Sequence, residues 1–232
     1  LVYRRNTIEQ KGSFTTGQMM NATDGDGTSE QLMSGHTGRM LVSISLGWLI
    51  VSLGRQTLPP LLPNIIEDLA ITPFQAGIGL TLLWAFYALL HYPGGRWGDE
   101  LSRKTVLVAG IGVLMLGFAL LTVATTYPLF LIALSVAGIG TGLYFVPMRA
   151  HISSLFVVRR GQAFGVNGAL GHAGSALGAV VAIAAVSVTT WQGAFLPVII
   201  GLGLVAVFIH RWSRERYVVS RVEFGLRDTV TR

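Results

Sequence analysis

Arg55 and His172 are the residues through which this chain could do chemistry. Arg55 stands inside an apolar run at about 40–62, with Ser52 and Gln56 close to it around a helix. A guanidinium so placed presents a planar fork of N–H donors that matches a carboxylate or a phosphate. Its burial at a helix centre costs about 2.5–3.5 kcal/mol on insertion scales, so a cavity-facing role is expected, with snorkelling to the outer interface as the alternative. His172 lies in a glycine-rich stretch, in the helical sector of Gly165, Gly168, Ser175 and Ala179. Its ring can hold a solute or carry a proton, and a packed, hydrogen-bonded histidine is the alternative reading. Ser52, Arg55, Gln56 and His172 are therefore the candidate substrate-binding residues. The carboxylates Glu67, Asp68, Asp99 and Glu100 sit at the borders of apolar segments and none lies inside one. A carboxylate proton relay thus has no members here; protons, if they drive the chain, pass through His172, His91 or a group outside these residues. The absence of cysteine excludes disulfides, thiolate zinc sites and Cys nucleophiles. No metal site and no cofactor is expected, and Arg103-Lys104 is not a phosphate loop because a glycine must precede the lysine.

These side chains need elements that hold them in a bilayer. Of 232 residues, 51% are apolar and 12% charged, against about a quarter charged in a soluble domain. A helix crosses roughly 30 Å of hydrocarbon with about 20 apolar residues. Six segments meet that length, near 40–62, 74–96, 105–125, 128–149, 162–187 and 192–210. Their apolar runs are too long, and alternate too little, for barrel strands. The fold class is an all-α membrane protein of six spanning helices, joined by loops of roughly 5–12 residues.

The net charge of +6 follows from topology rather than from nucleic-acid binding. Arg4, Arg5, Lys11 and Arg39 precede the first span; Arg96, Arg103 and Lys104 follow the second. Arg149, Arg159 and Arg160 surround the loop after the fourth, and six more arginines follow the sixth. Basic residues collect at cytoplasmic helix ends, so both termini are expected in the cytoplasm. Residues 1–38 read as a disordered cytoplasmic tail, with Met19, Met20 and Met33 as candidate starts. Residues 39–211 form the bundle, and 212–232 a basic cytoplasmic tail or the start of a central loop.

The second and third spans are joined by Gly95-Arg96-Trp97-Gly98-Asp99-Glu100-Leu101-Ser102-Arg103-Lys104. Gly95, Asp99, Arg103 and Lys104 stand in the register of a Gly-x-x-x-Asp-Arg-x-Gly-Arg-Arg/Lys loop, while Glu100 and Ser102 depart from it. With Leu58-Pro59-Pro60-Leu61-Leu62-Pro63, Gly138-Ile139-Gly140-Thr141-Gly142 and Arg160-Gly161-Gln162-Ala163-Phe164-Gly165, the chain resembles the major facilitator superfamily over about 40–210. The resemblance implies a half bundle of two three-helix repeats, and a gating role for Gly95, Asp99, Arg103 and Lys104 at the inner turn. Arg55 and the prolines after it are similar to the first helix of organic-anion and organophosphate branches.

The resulting expectation is a secondary active transporter, or its N-terminal half, moving a small solute such as an organic anion across the cell membrane by alternating access. Its partners would be that solute, the lipid bilayer and a second six-helix half (a downstream segment, a second copy or a separate subunit), with no nucleic acid. Two alternatives compete. One is a non-transporting sensor or scaffold. The other is a rhomboid-like intramembrane protease with Thr141 as nucleophile and His172 as base, which leaves Arg55 without a role.

Overall fold

The turn from polar tail to apolar chain becomes a helix at Gly35, whose φ of 72° suits a residue without a Cβ. The computed structural model describes Leu32 and residues 35–188 and 190–212. Helix α1 spans Gly35–Asp68. α2 (Pro73–Leu89) and α3 (His91–Glu100) together make the second span. α4 (Arg103–Thr122), α5 (Tyr127–Leu155) and α6 (Arg160–Val188) follow. A short 3-10 turn, Trp191–Phe195, leads into α7 (Leu196–Trp212). These make six spans long and apolar enough to cross a membrane, with no strand among the described residues.

Local signals set the ends. Thr72 and Gln75 close a reciprocal capping box at the start of α2, with Pro73 at its first position. Ser102 accepts the Thr105 N–H at 3.1 Å and so caps α4. At Leu90 the second span is interrupted. Pro93 has no N–H to give the Leu89 carbonyl, so the ladder lacks a bond there.

Several boundaries differ from the sequence reading. α1 continues through Pro59, Pro60 and Pro63 to Asp68 instead of ending near residue 62. Bundle helices tolerate proline where neighbours satisfy the freed backbone groups. α5 runs to Leu155, beyond the expected end at 149. The connections are correspondingly short, and the inner turn between α3 and α4 is Leu101 and Ser102 alone. The tails read from sequence, 1–38 and 212–232, lie outside the described residues except at their inner edges, where α1 already begins at Gly35 and α7 ends at Trp212.

Packing follows an exchange rule. The first span lies against the fifth and sixth, the fourth against the second and third, and the third against the sixth. Swapping the first three spans for the last three leaves this pattern unchanged, as two three-helix repeats require. In lipid the apolar effect between helices is small, and close backbone approach does the work. A side chain at Gly138 would run into the Leu83 carbonyl, and one at Gly174 into the Leu49 carbonyl. Three hydroxyls cross between spans: Tyr144 donates to the Ile44 carbonyl at 2.7 Å, Thr57 to the Gly178 carbonyl at 3.2 Å and Tyr127 to the Gln75 carbonyl at 3.2 Å.

Candidate functional site

The first, fourth and fifth spans enclose a cavity of about 300 Å³ lined by Trp48, Ser52, Arg55, Arg149, Asn167 and His172, among others. Three of the four residues expected to bind solute, Ser52, Arg55 and His172, meet here. The fourth, Gln56, does not line it; it sits at the crossing of α1 with Gly178 and is exposed. One residue is about 100° of helix rotation, enough to carry Gln56 out of the sector that Arg55 shares.

Arg55 is held by rings rather than by an acid. Its guanidinium carbon lies 4.6 Å from the Trp84 ring centroid, 5.3 Å from Tyr87 and 5.5 Å from Trp48. Such cation–π contacts stabilise a desolvated cation by about 2 kcal/mol or more. Nε and Nη1 are buried and have no hydrogen-bond partner among the described residues. Trp48 can lie beside α6 because position 171 is glycine; a Cβ there would collide with the indole Nε1 and Cδ1.

A second arginine shares the cavity. The sequence reading puts Arg149 at the loop after the fourth span, but it lies six residues short of the end of α5, about 9 Å along the axis. Its guanidinium is 4.7 Å from the Phe145 centroid and 5.7 Å from Phe164. Trp48 and Phe145 are themselves 5.2 Å apart, so a file of rings links the two cations. Asn167 completes the wall, buried and donating to Ser45 Oγ at 3.2 Å. The sequence signal for Arg149 is its charge alone; Trp48 and Asn167 give none.

The other candidates fall elsewhere. His91 packs edge-on against Tyr87 and Phe145 at 4.4 and 5.3 Å, outside the residues that line the cavity. Thr141 is fully buried and donates to the Ala137 carbonyl of its own helix at 2.8 Å. It does not share the cavity with His172. In the inner turn, Gly95 and Asp99 belong to α3, and Arg103 and Lys104 begin α4. The Asp99 side chain lies outside what the structure describes. Lys104, read from sequence as one of the basic residues at a cytoplasmic helix end, is only 5% exposed, with Nζ donating to the His210 carbonyl at 3.3 Å. A cation on the last carbonyls of a helix offsets its C-terminal partial charge.

The Major Facilitator Superfamily model matches residues 44–227. The probable sulfoacetate transporter SauU of Cupriavidus necator is 29% identical over 195 residues, covering 80% of this chain and 44% of that protein. A probable hexose phosphate transport protein of Chlamydia trachomatis is 24% identical over 175 residues, covering 75% and 38%. The crystal structure of tetrameric PepTSo2 aligns with a TM-score of 0.66 at 19% identity, over 76% of this chain and 41% of that one. That identity establishes a shared fold alone. The chain spans less than half the length of each of these proteins.

Proposed function

This chain belongs to the major facilitator superfamily, and on that premise we propose that it forms one half of a secondary transporter for a small organic anion in the cell membrane. The observation that carries the reading is the pair of guanidiniums, Arg55 and Arg149, lining one cavity whose lining residues include no carboxylate. Two cations sharing a cavity repel each other, and the unpartnered Nε and Nη1 of Arg55 are donors in want of acceptors. An anionic solute supplies both the counter-charge and the acceptors. His172 and Ser52 offer further polar contacts, with His172 the proton carrier if transport is proton-coupled. The names of two relatives, a sulfoacetate transporter and a hexose phosphate transport protein, both denote anionic cargo and support this reading.

A second six-helix half supplies the opposite wall. On α6, a methyl group placed at Gly161, Gly165 or Gly168 would meet nothing within 4 Å, so a partner helix can approach that face closely. Rocking of one half against the other then opens the cavity to each side in turn. The sensor and protease alternatives are not favoured, since the relatives compared are transporters.

The test is binding of sulfoacetate or glucose 6-phosphate to the transport-competent protein and its Arg55 variants. Arg55→Lys keeps the charge and loses the fork, so affinity falls about tenfold or more, as for a lost hydrogen bond to a charged group. Arg55→Gln abolishes binding while the protein still inserts. Unchanged affinity for a neutral or cationic solute in Arg55→Gln, with no anion bound by the parent, refutes the assignment.

A further inference from the structure

Where α1 begins and α7 ends, a second cavity of about 390 Å³ is lined by Gly35, His36, Arg39, Arg211 and Trp212. It lies where the first span begins and the sixth ends, and it shares no lining residue with the Arg55 cavity. Arg39 and Arg211 are exposed, and neither is in an ion pair among the described residues. The local helix end does not neutralise them. The carbonyls of His210 and Trp212, which would otherwise present the negative end of α7, are occupied by Lys104 at 3.3 Å and by His36 Nε2 at 2.7 Å. The His36 contact also ties the start of the first span to the end of the sixth and so fixes the cavity wall.

One side of the cavity is apolar. Trp212 stacks on Phe208 nearly parallel, 5.0 Å between centroids and 6° between planes, and Phe208 is 36% exposed on the outer surface of α7. A pair of guanidiniums above an aromatic wall that descends toward the bilayer has the shape of an amphiphile: charge at one end, hydrocarbon at the other. Aromatic residues favour that depth for the same reason.

We propose that this cavity binds the headgroup of an anionic phospholipid. The phosphodiester lies between Arg39 and Arg211, and the glycerol and upper acyl chain run along Trp212 and Phe208. Arginine suits the role because its fork meets two phosphate oxygens together. A soluble phosphate ion would use the two arginines alike but gain nothing from the aromatic wall, so the lipid is favoured. The inference stands apart from the transported solute: it uses no residue of the Arg55 cavity.

Native mass spectrometry of the full chain, released from nanodiscs of phosphatidylglycerol or of phosphatidylcholine, tests it. The parent retains phosphatidylglycerol and not phosphatidylcholine. The double variant Arg39→Gln/Arg211→Gln loses retention roughly thirtyfold, the factor expected for two cations at a membrane surface. Arg159→Gln, a basic residue outside the cavity, retains lipid as the parent does. Trp212→Leu weakens retention of phosphatidylglycerol but leaves the response to inorganic phosphate unaltered. Equal retention by parent and double variant overturns the proposal, and so does inorganic phosphate competing as well as the lipid, which would mark a site for a free anion.

Discussion

A single glycine decides how much room the Arg55 cavity has. At Gly171 a methyl group would occupy the space of the Trp48 indole, and Trp48 in turn supports the Arg55 guanidinium. Gly165, on the same helix, has open space around it. Gly171→Ala therefore overpacks the crossing of α1 and α6, at about 1–3 kcal/mol, whereas Gly165→Ala leaves the six-helix bundle unaffected. Thermal melting of the two purified variants checks the difference: Gly171→Ala melts lower than the parent and Gly165→Ala does not. Equal melting would mean that Trp48 yields freely and the contact sets nothing. At this scale the sequence is legible where chemistry contrasts with its surroundings. Arg55, Ser52 and His172 stand out as polar groups in apolar runs. Trp48 and Asn167 do not, because an indole reads as one more apolar residue and a lone amide on a helix is uninformative without its neighbours.

At the scale of the helices, composition yields the number of spans and misjudges their ends. α1 has 34 residues, about 50 Å of helix against roughly 30 Å of hydrocarbon, so it reaches past the bilayer core. Proline is a helix breaker in water-exposed chain, which is why the run at 58–63 reads as an ending. Within a bundle the same residues are carried inside the helix. The fourth span shows the converse. Pro147, Arg149 and His151 together look like an interface, yet α5 continues to Leu155. That one displaced boundary turns a residue of the cavity wall into a loop residue, and it is the reason half of the cation pair is not legible. The inner turn is recognisable as tight, but its length of two residues follows from capping by Ser102, a side-chain geometry rather than a pattern of residue types.

For the whole molecule, the distribution of charge is what argues for an orientation. With Arg149 moved into the wall, the remaining basic residues other than Arg55 lie at one set of span ends, and the connections at 69–72, 123–126 and 189–190 have none. We expect both termini in the cytoplasm. Because the parent has no cysteine, single cysteines at positions 70 and 101 can be labelled in intact cells with an impermeant thiol reagent. Position 70 reacts and position 101 does not; the reverse pattern would invert the topology. The number of spans is legible because bilayer thickness fixes a length. The pairing of repeats is not, since it depends on which apolar face meets which.

That pairing has a consequence for biogenesis. The first three spans make few contacts with one another, and most of what each packs against comes from the last three. A nascent chain leaving the ribosome therefore has its first spans in lipid before their neighbours exist, held as separate helices until the fourth, fifth and sixth arrive. Its assembly is a late, concerted event rather than a progressive one, with the Tyr144–Ile44 bond among the contacts that close it. A chain stopped after residue 123 would carry the faces of α1 and α4 unmatched and become a substrate for membrane quality control. In a pulse-chase it should decay severalfold faster than the chain ending at 232. A three-span product that persists as long as the 232-residue chain would show that the repeats assemble independently.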